Sequence, residues 1–146
     1  MDLINNLLSS FITYTDSIEK INERLSNKKI RFPNFPSEIS ENIVCYYINK
    51  NNKNATWDTK KGDIELETGD KVEVKGYSSD GPASFGPTET WNILYFINCK
   101  SYKERKFVIY EINLSNKSDT WKNLKVSKTD TYEKQCLEGR RPRITF

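Results

Sequence analysis

The stretch GDIELETGDKVEVK, residues 62–75, decides the fold. Ile64 and Leu66 alternate with Asp63, Glu65 and Glu67, and Val72 and Val74 alternate with Lys71, Glu73 and Lys75, around the turn residues Thr68, Gly69 and Asp70. Strand side chains leave opposite faces in turn, so the pattern predicts a β-hairpin with one apolar and one charged face. Asp63 opens its first strand, and Glu73 and Lys75, two apart on the second, share a face that an Asp on the paired strand can meet. Two carboxylates and one lysine there make a hard-oxygen cage for Mg²⁺, with an ammonium left over to orient or deprotonate a water and to steady a phosphate. Glu65 shares the face of Asp63 by the same period, as an auxiliary ligand or a salt-bridge partner for Lys75. Charged residues on the solvent face of a hairpin are common, and Glu-x-Lys by itself is a weak signal, so its weight rests on what surrounds it.

Upstream, Leu3, Leu7, Leu8, Phe11, Ile12, Ile18, Ile21 and Leu25 recur mostly at spacings of three and four with no Pro or Gly between them, which predicts a long amphipathic helix. Pro33 and Pro36 interrupt the pattern, after which Ser37 can cap a second helix that carries Ile39, Ile43, Val44, Tyr46 and Tyr47 toward a core and ends near Asn49. A polar connector, NKNNKNA, leads to the strand-like ATWDT before the hairpin. Downstream, Gly81, Pro82, Gly86 and Pro87 mark the loop GPASFGPTE. WNILYFINC (91–99) and KFVIYEINL (106–114) read as two further strands, the first nearly all apolar and therefore interior. A helix around Thr129 to Leu137, stopped by Gly139, precedes an extended RRPRITF. The order of elements is that of an α/β or α+β chain.

The chain has 146 residues, a length that fits one domain, and 36% hydrophobic residues with 18 aromatics (7 Phe, 8 Tyr, 3 Trp) exclude a disordered polymer. It contains no histidine, which removes Ser-His and Cys-His triads and His-ligated zinc. Cys45, Cys99 and Cys136 are odd in number and far apart, so they read as reduced, mostly buried thiols. The longest apolar runs, Ile43 to Ile48 and Ile93 to Ile97, fall far short of the roughly 20 residues of a membrane span. The N-terminal MDLINN lacks a signal peptide's basic start. These features predict a cytoplasmic protein with no membrane partner. Residues 99–146 carry twelve basic and six acidic side chains, whereas residues 1–98 carry eleven and fourteen. That asymmetry predicts a polyanion-facing surface in the last third.

In this setting Asp63 with Glu73-Val74-Lys75 resembles the PD-(D/E)XK nuclease superfamily, although Gly62 stands where its classical Pro precedes the Asp. PASFGPTETWNILYFINC, KFVIYEINLSN and TYEKQCLEGRRPRITF further resemble a group of small bacterial type II restriction endonucleases that cut short GC-containing sites. The likeness runs over roughly residues 37–146. It implies an α/β, restriction-endonuclease-like mixed β-sheet flanked by helices with an N-terminal helical segment. It further implies one nuclease domain over 1–146, made of a helical segment (1–36), a catalytic core (37–115) and a basic DNA-contacting region (116–146). Asp63 and Glu73 are then Mg²⁺ ligands and Lys75 their catalytic companion. Glu41 joins them as the carboxylate that many members bring from the preceding helix, its plainer reading being a solvent-facing helix residue.

DNA contacts fall to three groups. Half of the six arginines, Arg140, Arg141 and Arg143, cluster beside Gly139 and Pro142, and the planar guanidinium grips phosphate or a guanine edge bidentately. Lys122, Lys125 and Lys128, three apart, suit sequence-independent phosphate contacts. Ser84, Thr88 and Glu89 lie in the loop directly after the Glu-x-Lys strand, where Glu89 can accept from cytosine N4, while Phe85 and the prolines can equally seal the core. The reading is a Mg²⁺-dependent, sequence-specific double-strand DNA endonuclease acting as a homodimer. A structure-selective nuclease such as a junction resolvase, or a non-catalytic DNA-binding module, are the alternatives. The terminal Ile-Thr-Phe reads as the middle of a strand, which leaves open where the natural chain ends.

Overall fold

The structure is a computed structural model that describes residues 2–57 and 63–145. Uninterrupted by Gly or Pro, the first apolar repeat folds as α1 (Asp2–Arg24), and Pro33 and Pro36 separate it from α2 (Ser37–Lys50). The apolar stripe of α1 is only partly used: Leu8 and Ile18 are buried, while Leu3, Leu7 and Ile21 stay exposed. Ser37 is not the cap of α2. Pro36 takes that position with no side-chain hydrogen bond, and the Ser37 hydroxyl donates to Glu38 Oε2 at 3.3 Å. The inner arc of α2 is Ile39, Ser40, Val44, Cys45 and Ile48. Tyr46 and Tyr47, expected in the core, face outward, because steps of about 100° from Val44 and Cys45 carry them off that arc.

The strands follow as β1 (Ala55–Trp57), β2 (Ile64–Leu66), β3 (Lys71–Tyr77), β4 (Ala83–Ser84), β5 (Ile93–Asn98) and β6 (Val108–Ile112). Asp58 and Thr59 of the expected ATWDT strand lie outside the described residues. A single 3₁₀ turn at Tyr102–Glu104 separates β5 from β6, and α3 (Asp119–Lys122), α4 (Tyr132–Leu137) and β7 (Arg143–Ile144) complete the chain. Neither the 3₁₀ turn nor α3 has a periodic signature long enough to be seen in sequence. The helix expected from Thr129 begins only at Tyr132, since Thr131 is its N-cap and accepts from the Lys134 N–H.

The architecture is the mixed α/β one expected, a five-stranded sheet ordered β1-β2-β3-β5-β6 and antiparallel except for the parallel pair β3 and β5. β5 is interior, as its apolar run predicts. A small second sheet pairs β4 with β7, Ala83 opposite Ile144 and Ser84 opposite Arg143. Strand alternation divides the interior into two cores. Val72, Val74, Tyr95 and Ile97 pack with Ile39, Val44 and Ile48 of α2 and with Leu8 of α1. Leu94 and Phe96 pack on the other side with Phe85, Trp91, Trp121 and Tyr132. The second core fastens the C-terminal third onto the face of β3 from which Glu73 and Lys75 project. The three cysteines are free, Cys45 and Cys99 buried and Cys136 half-buried.

Candidate active site

The hairpin forms in the register that brings the acidic residues together. Ile64 pairs with Val72 and Glu65 with Lys71, so Asp63 sits at the end of β2 beside the middle of β3. Its Oδ2 accepts a hydrogen bond from the Val74 backbone N–H at 2.7 Å, which pins the carboxylate between Glu73 and Lys75 in sequence. Lys75 Nζ lies 2.6 Å from Glu73 Oε1 and 3.3 Å from Glu89 Oε2. It also stands 5.1 Å from the centroid of the Phe85 ring, within cation–π range.

Glu73 is buried, and burial together with the adjacent Asp63 charge pushes its carboxyl up to about 7, against the relief offered by Lys75. Burial likewise raises Asp63, partly offset by the Val74 N–H. For Lys75, burial works against the charge, but Glu73 and Glu89 outweigh it and hold the ammonium protonated above its usual range. Among the described residues, Asp63, Glu73 and Glu89, when ionised, confront one lysine, leaving two negative charges there that a divalent cation would balance. Among the described residues no group of three His, Cys, Asp or Glu side chains is arranged to hold a metal ion. Asp63 and Glu73 form an oxygen-only pair, of the kind Mg²⁺ accepts because it keeps several of its waters.

α2 crosses close to this site. A Cβ on Gly76 would fall 2.8 Å from Ser40 Cβ, so the glycine after Lys75 is what lets the helix approach. Glu41, next on that helix, is half-buried, accepts from Trp57 Nε1 at 2.7 Å, and has its carboxyl raised by burial, with the Asp63 charge adding to the effect. It stands at the rim of the group, committed to Trp57. Glu65 does not pair with Lys75: among the described residues the ion-pair partners of that lysine are Glu73 and Glu89, and Glu65 lines a separate hollow with Asn54, Thr56 and Trp57.

A cleft of about 330 Å³ opens beside Lys75, lined by Gly76, Tyr77, Ser78, Pro82 and Ser84 among others. The arginine arm reaches its wall. Pro142 is buried and its carbonyl accepts from the Phe85 N–H at 2.9 Å, and Arg141 Nε donates to Ser84 Oγ at 3.2 Å. Arg143 is exposed opposite Ser84, with no ion pair among the described residues. Arg140 is bound inward, 3.0 Å from Asp130 and 3.2 Å from Glu138. Lys122 lies 3.8 Å from Glu133, whereas Lys125 and Lys128 are exposed with no ion pair among the described residues, and Thr88 is exposed. Lys122 ends α3 and the other two follow in a loop, so their spacing of three does not place them on one helix face.

The contact between Glu89 and Lys75 is what sequence reasoning missed. Glu89 was expected to face DNA, and the structure turns it onto Lys75, across 14 residues of chain that include a loop with no periodicity. The hydrogen bond from Trp57 to Glu41 and the Asp130 hub were also unforeseen. Only the Gly-Pro turn before Glu89 hinted at a shaped loop there.

A family model described as Bsp6I restriction endonuclease matches residues 5–146 of the chain. The type II restriction enzyme Bsp6I of Bacillus sp. (strain RFL6) is 31% identical over 130 residues, 87% of this chain and 71% of that enzyme. No solved structure matches.

Proposed function

The chain belongs to the Bsp6I restriction endonuclease family and is a type II, site-specific deoxyribonuclease, and from that premise we propose that it hydrolyses both strands of a DNA site in a Mg²⁺-dependent reaction run by Asp63, Glu73 and Lys75. The observation that carries this is the Asp63 carboxylate held on the Val74 N–H at 2.7 Å while Lys75 Nζ stands 2.6 Å from Glu73. Two carboxylates and an ammonium thereby meet over the middle strand of the sheet, beside a cleft.

Asp63 and Glu73 would hold the ion. When bound, Mg²⁺ supplies Lewis acidity at a phosphate oxygen and lowers the pKa of a coordinated water. Lys75, charged at neutral pH, donates from Nζ to the water or to a non-bridging phosphate oxygen, and the Phe85 ring shields one side of its ammonium from solvent. Glu41, held by Trp57, offers a further acceptor at the rim. Arg141, bonded to Ser84 of the cleft wall, and Arg143, opposite Ser84 in β7, would offer guanidinium groups to the DNA, and Lys122, Lys125 and Lys128 would add phosphate contacts. A homodimer would match the two-fold symmetry of a palindromic site. This predicts two chains per cognate duplex in sedimentation.

The test is a mixed-sequence plasmid incubated with the protein and Mg²⁺, Ca²⁺ or EDTA. Discrete double-strand fragments with Mg²⁺, poor cutting with Ca²⁺ and none in EDTA are expected. Cutting in EDTA, or nicking only at branched DNA, would overturn the reading.

A further inference from the structure

Among the described residues Lys75 has two anionic partners, and a metal ion on the first would compete with it. Glu73 is one of the two carboxylates that would turn toward the metal, and a divalent cation on that group repels an ammonium 2.6 Å away. Among the described residues, the remaining carboxylate paired with Lys75 is Glu89, at 3.3 Å.

The chain around Glu89 is built to keep it there. Its backbone carbonyl accepts from Asn116 Nδ2 at 2.7 Å, and the same amide's Oδ1 accepts from the Trp91 N–H at 3.2 Å. Trp91 Nε1 donates to the Leu114 carbonyl at 3.1 Å, so the residues after Glu89 are fastened to the segment following β6. Before it, the Glu89 N–H closes a turn on Gly86 at 3.3 Å. A Cβ on Gly86 would come within 2.9 Å of Glu89 Oε1 and 3.0 Å of both Cδ and Cγ. Gly86 is not among the positive-φ glycines, so its backbone admits alanine. What the missing side chain provides is room for the Glu89 carboxylate.

We infer that Glu89 is a positioning residue for the cleavage step, holding the Lys75 ammonium in the site when Glu73 engages the metal, and that Gly86 is there to give it space. The inference rests on Lys75 acting in catalysis as proposed above. It assigns Glu89 inward, away from base recognition.

The experiment measures single-turnover cleavage with Mg²⁺, and duplex affinity with Ca²⁺ on cognate and scrambled DNA, for Glu89→Ala, Glu89→Asp, Gly86→Ala and Lys75→Ala. Displacements of about 1 Å at a reacting group cost up to about 100-fold, so Glu89→Ala and Gly86→Ala should each slow the cleavage step by roughly 10- to 100-fold. The affinity ratio between cognate and scrambled DNA should be unchanged. Glu89→Asp, which keeps the charge, should recover part of the rate, and Glu89→Ala added to Lys75→Ala should change nothing further. Gly86→Ala retains every charged group, so it tests the idea even if Glu89→Ala fails to fold. Loss of discrimination at an unchanged rate would make Glu89 a base reader and overturn the inference. So would parent-like cleavage by both Glu89→Ala and Gly86→Ala while Lys75→Ala is inactive. If Lys75→Ala cuts normally, the catalytic reading itself is what has failed.

Discussion

Glu73 on β3 and Asp130 in the turn before α4 are equally buried, 8% and 7% exposed, yet their carboxyls are driven in opposite directions. Asp130 accepts from Lys134, Gln135 and Arg140 at 2.9, 3.3 and 3.0 Å, and those donors hold it down to about 2. Among the described residues Glu73 has one lysine, shares it with Glu89, faces Asp63, and is pushed up to about 7. Their exposed areas match, but loss of water is the leading effect at Glu73 and a lesser one at Asp130, where the donors outweigh it, so the two differ in depth as well as in compensation. The C-terminal third spends its charges on itself and fixes the arm. Among the described residues the hairpin site leaves negative charge in excess, which fits the cation site proposed above.

The largest effect that should follow from this contrast is on chemistry. Asp63→Ala, Glu73→Ala and Lys75→Ala should each cut cognate DNA at least about 100-fold more slowly, with combined losses far from additive because the three act as a unit. Folding, followed by circular dichroism, should persist, and DNA binding should survive or tighten for the two carboxylate variants. Any of them cutting at more than about a tenth of the parent rate would remove that residue from the unit. Glu41→Ala should give only a partial loss.

The hairpin was legible because strand periodicity puts Asp63, Glu73 and Lys75 on one face without knowledge of anything distant. Interior β5 was legible for the same reason, through its apolar run. What could not be seen depended on closure through irregular chain: Glu89 reaches Lys75 by a loop, and Arg140 reaches Asp130 by a helix and a turn. Tyr46 and Tyr47 show a third limit, since apolar residues on a helix reveal a stripe but not how much of it another element covers.

The arm sharpens the comparison next, because its three arginines differ in how far they are already committed. Arg140 is tied to Asp130 and Glu138, Arg141 to Ser84, and Arg143 is exposed with no ion pair among the described residues. Arg143→Lys should cost about 1–3 kcal/mol on the cognate duplex alone, by loss of bidentate geometry at equal charge. Arg140→Lys should weaken cognate and scrambled duplexes alike. Equal losses for both substitutions on both duplexes would reduce the cluster to backbone contact.

Stability against pH gives the same contrast opposite signs. Glu73 ionises in the unfolded chain near 4.5 but near 7 when folded, so the folded state binds more protons in between, and metal-free stability should fall as pH rises across that window. Asp130 does the reverse. Its contribution is complete above the ordinary value of 3.8 and is lost only as pH falls toward 2. At pH 8 in EDTA, Glu73→Gln should raise the melting temperature by a few degrees, as expected for about 1 kcal/mol in a chain of this size. Asp130→Asn should lower it. A fall for both would mean that the hairpin's charges stabilise the fold after all.

The smallest effect concerns the open lysines. Lys125 and Lys128 have no partner among the described residues, whereas Lys122 lies 3.8 Å from Glu133. A lysine that neutralises one phosphate contributes about 0.9 to the slope of log affinity against log salt, so losing it should matter roughly threefold between 50 and 200 mM salt. Lys125→Ala and Lys128→Ala should therefore lower the slope by about 1 each, on cognate and scrambled duplexes alike. Lys122→Ala should change it less, because part of its charge is already answered by Glu133. Titrations at several salt concentrations would check this. A slope unchanged in Lys125→Ala and Lys128→Ala would detach this loop from the DNA and leave the arm beside Ser84 as the sole basic contact of the C-terminal third.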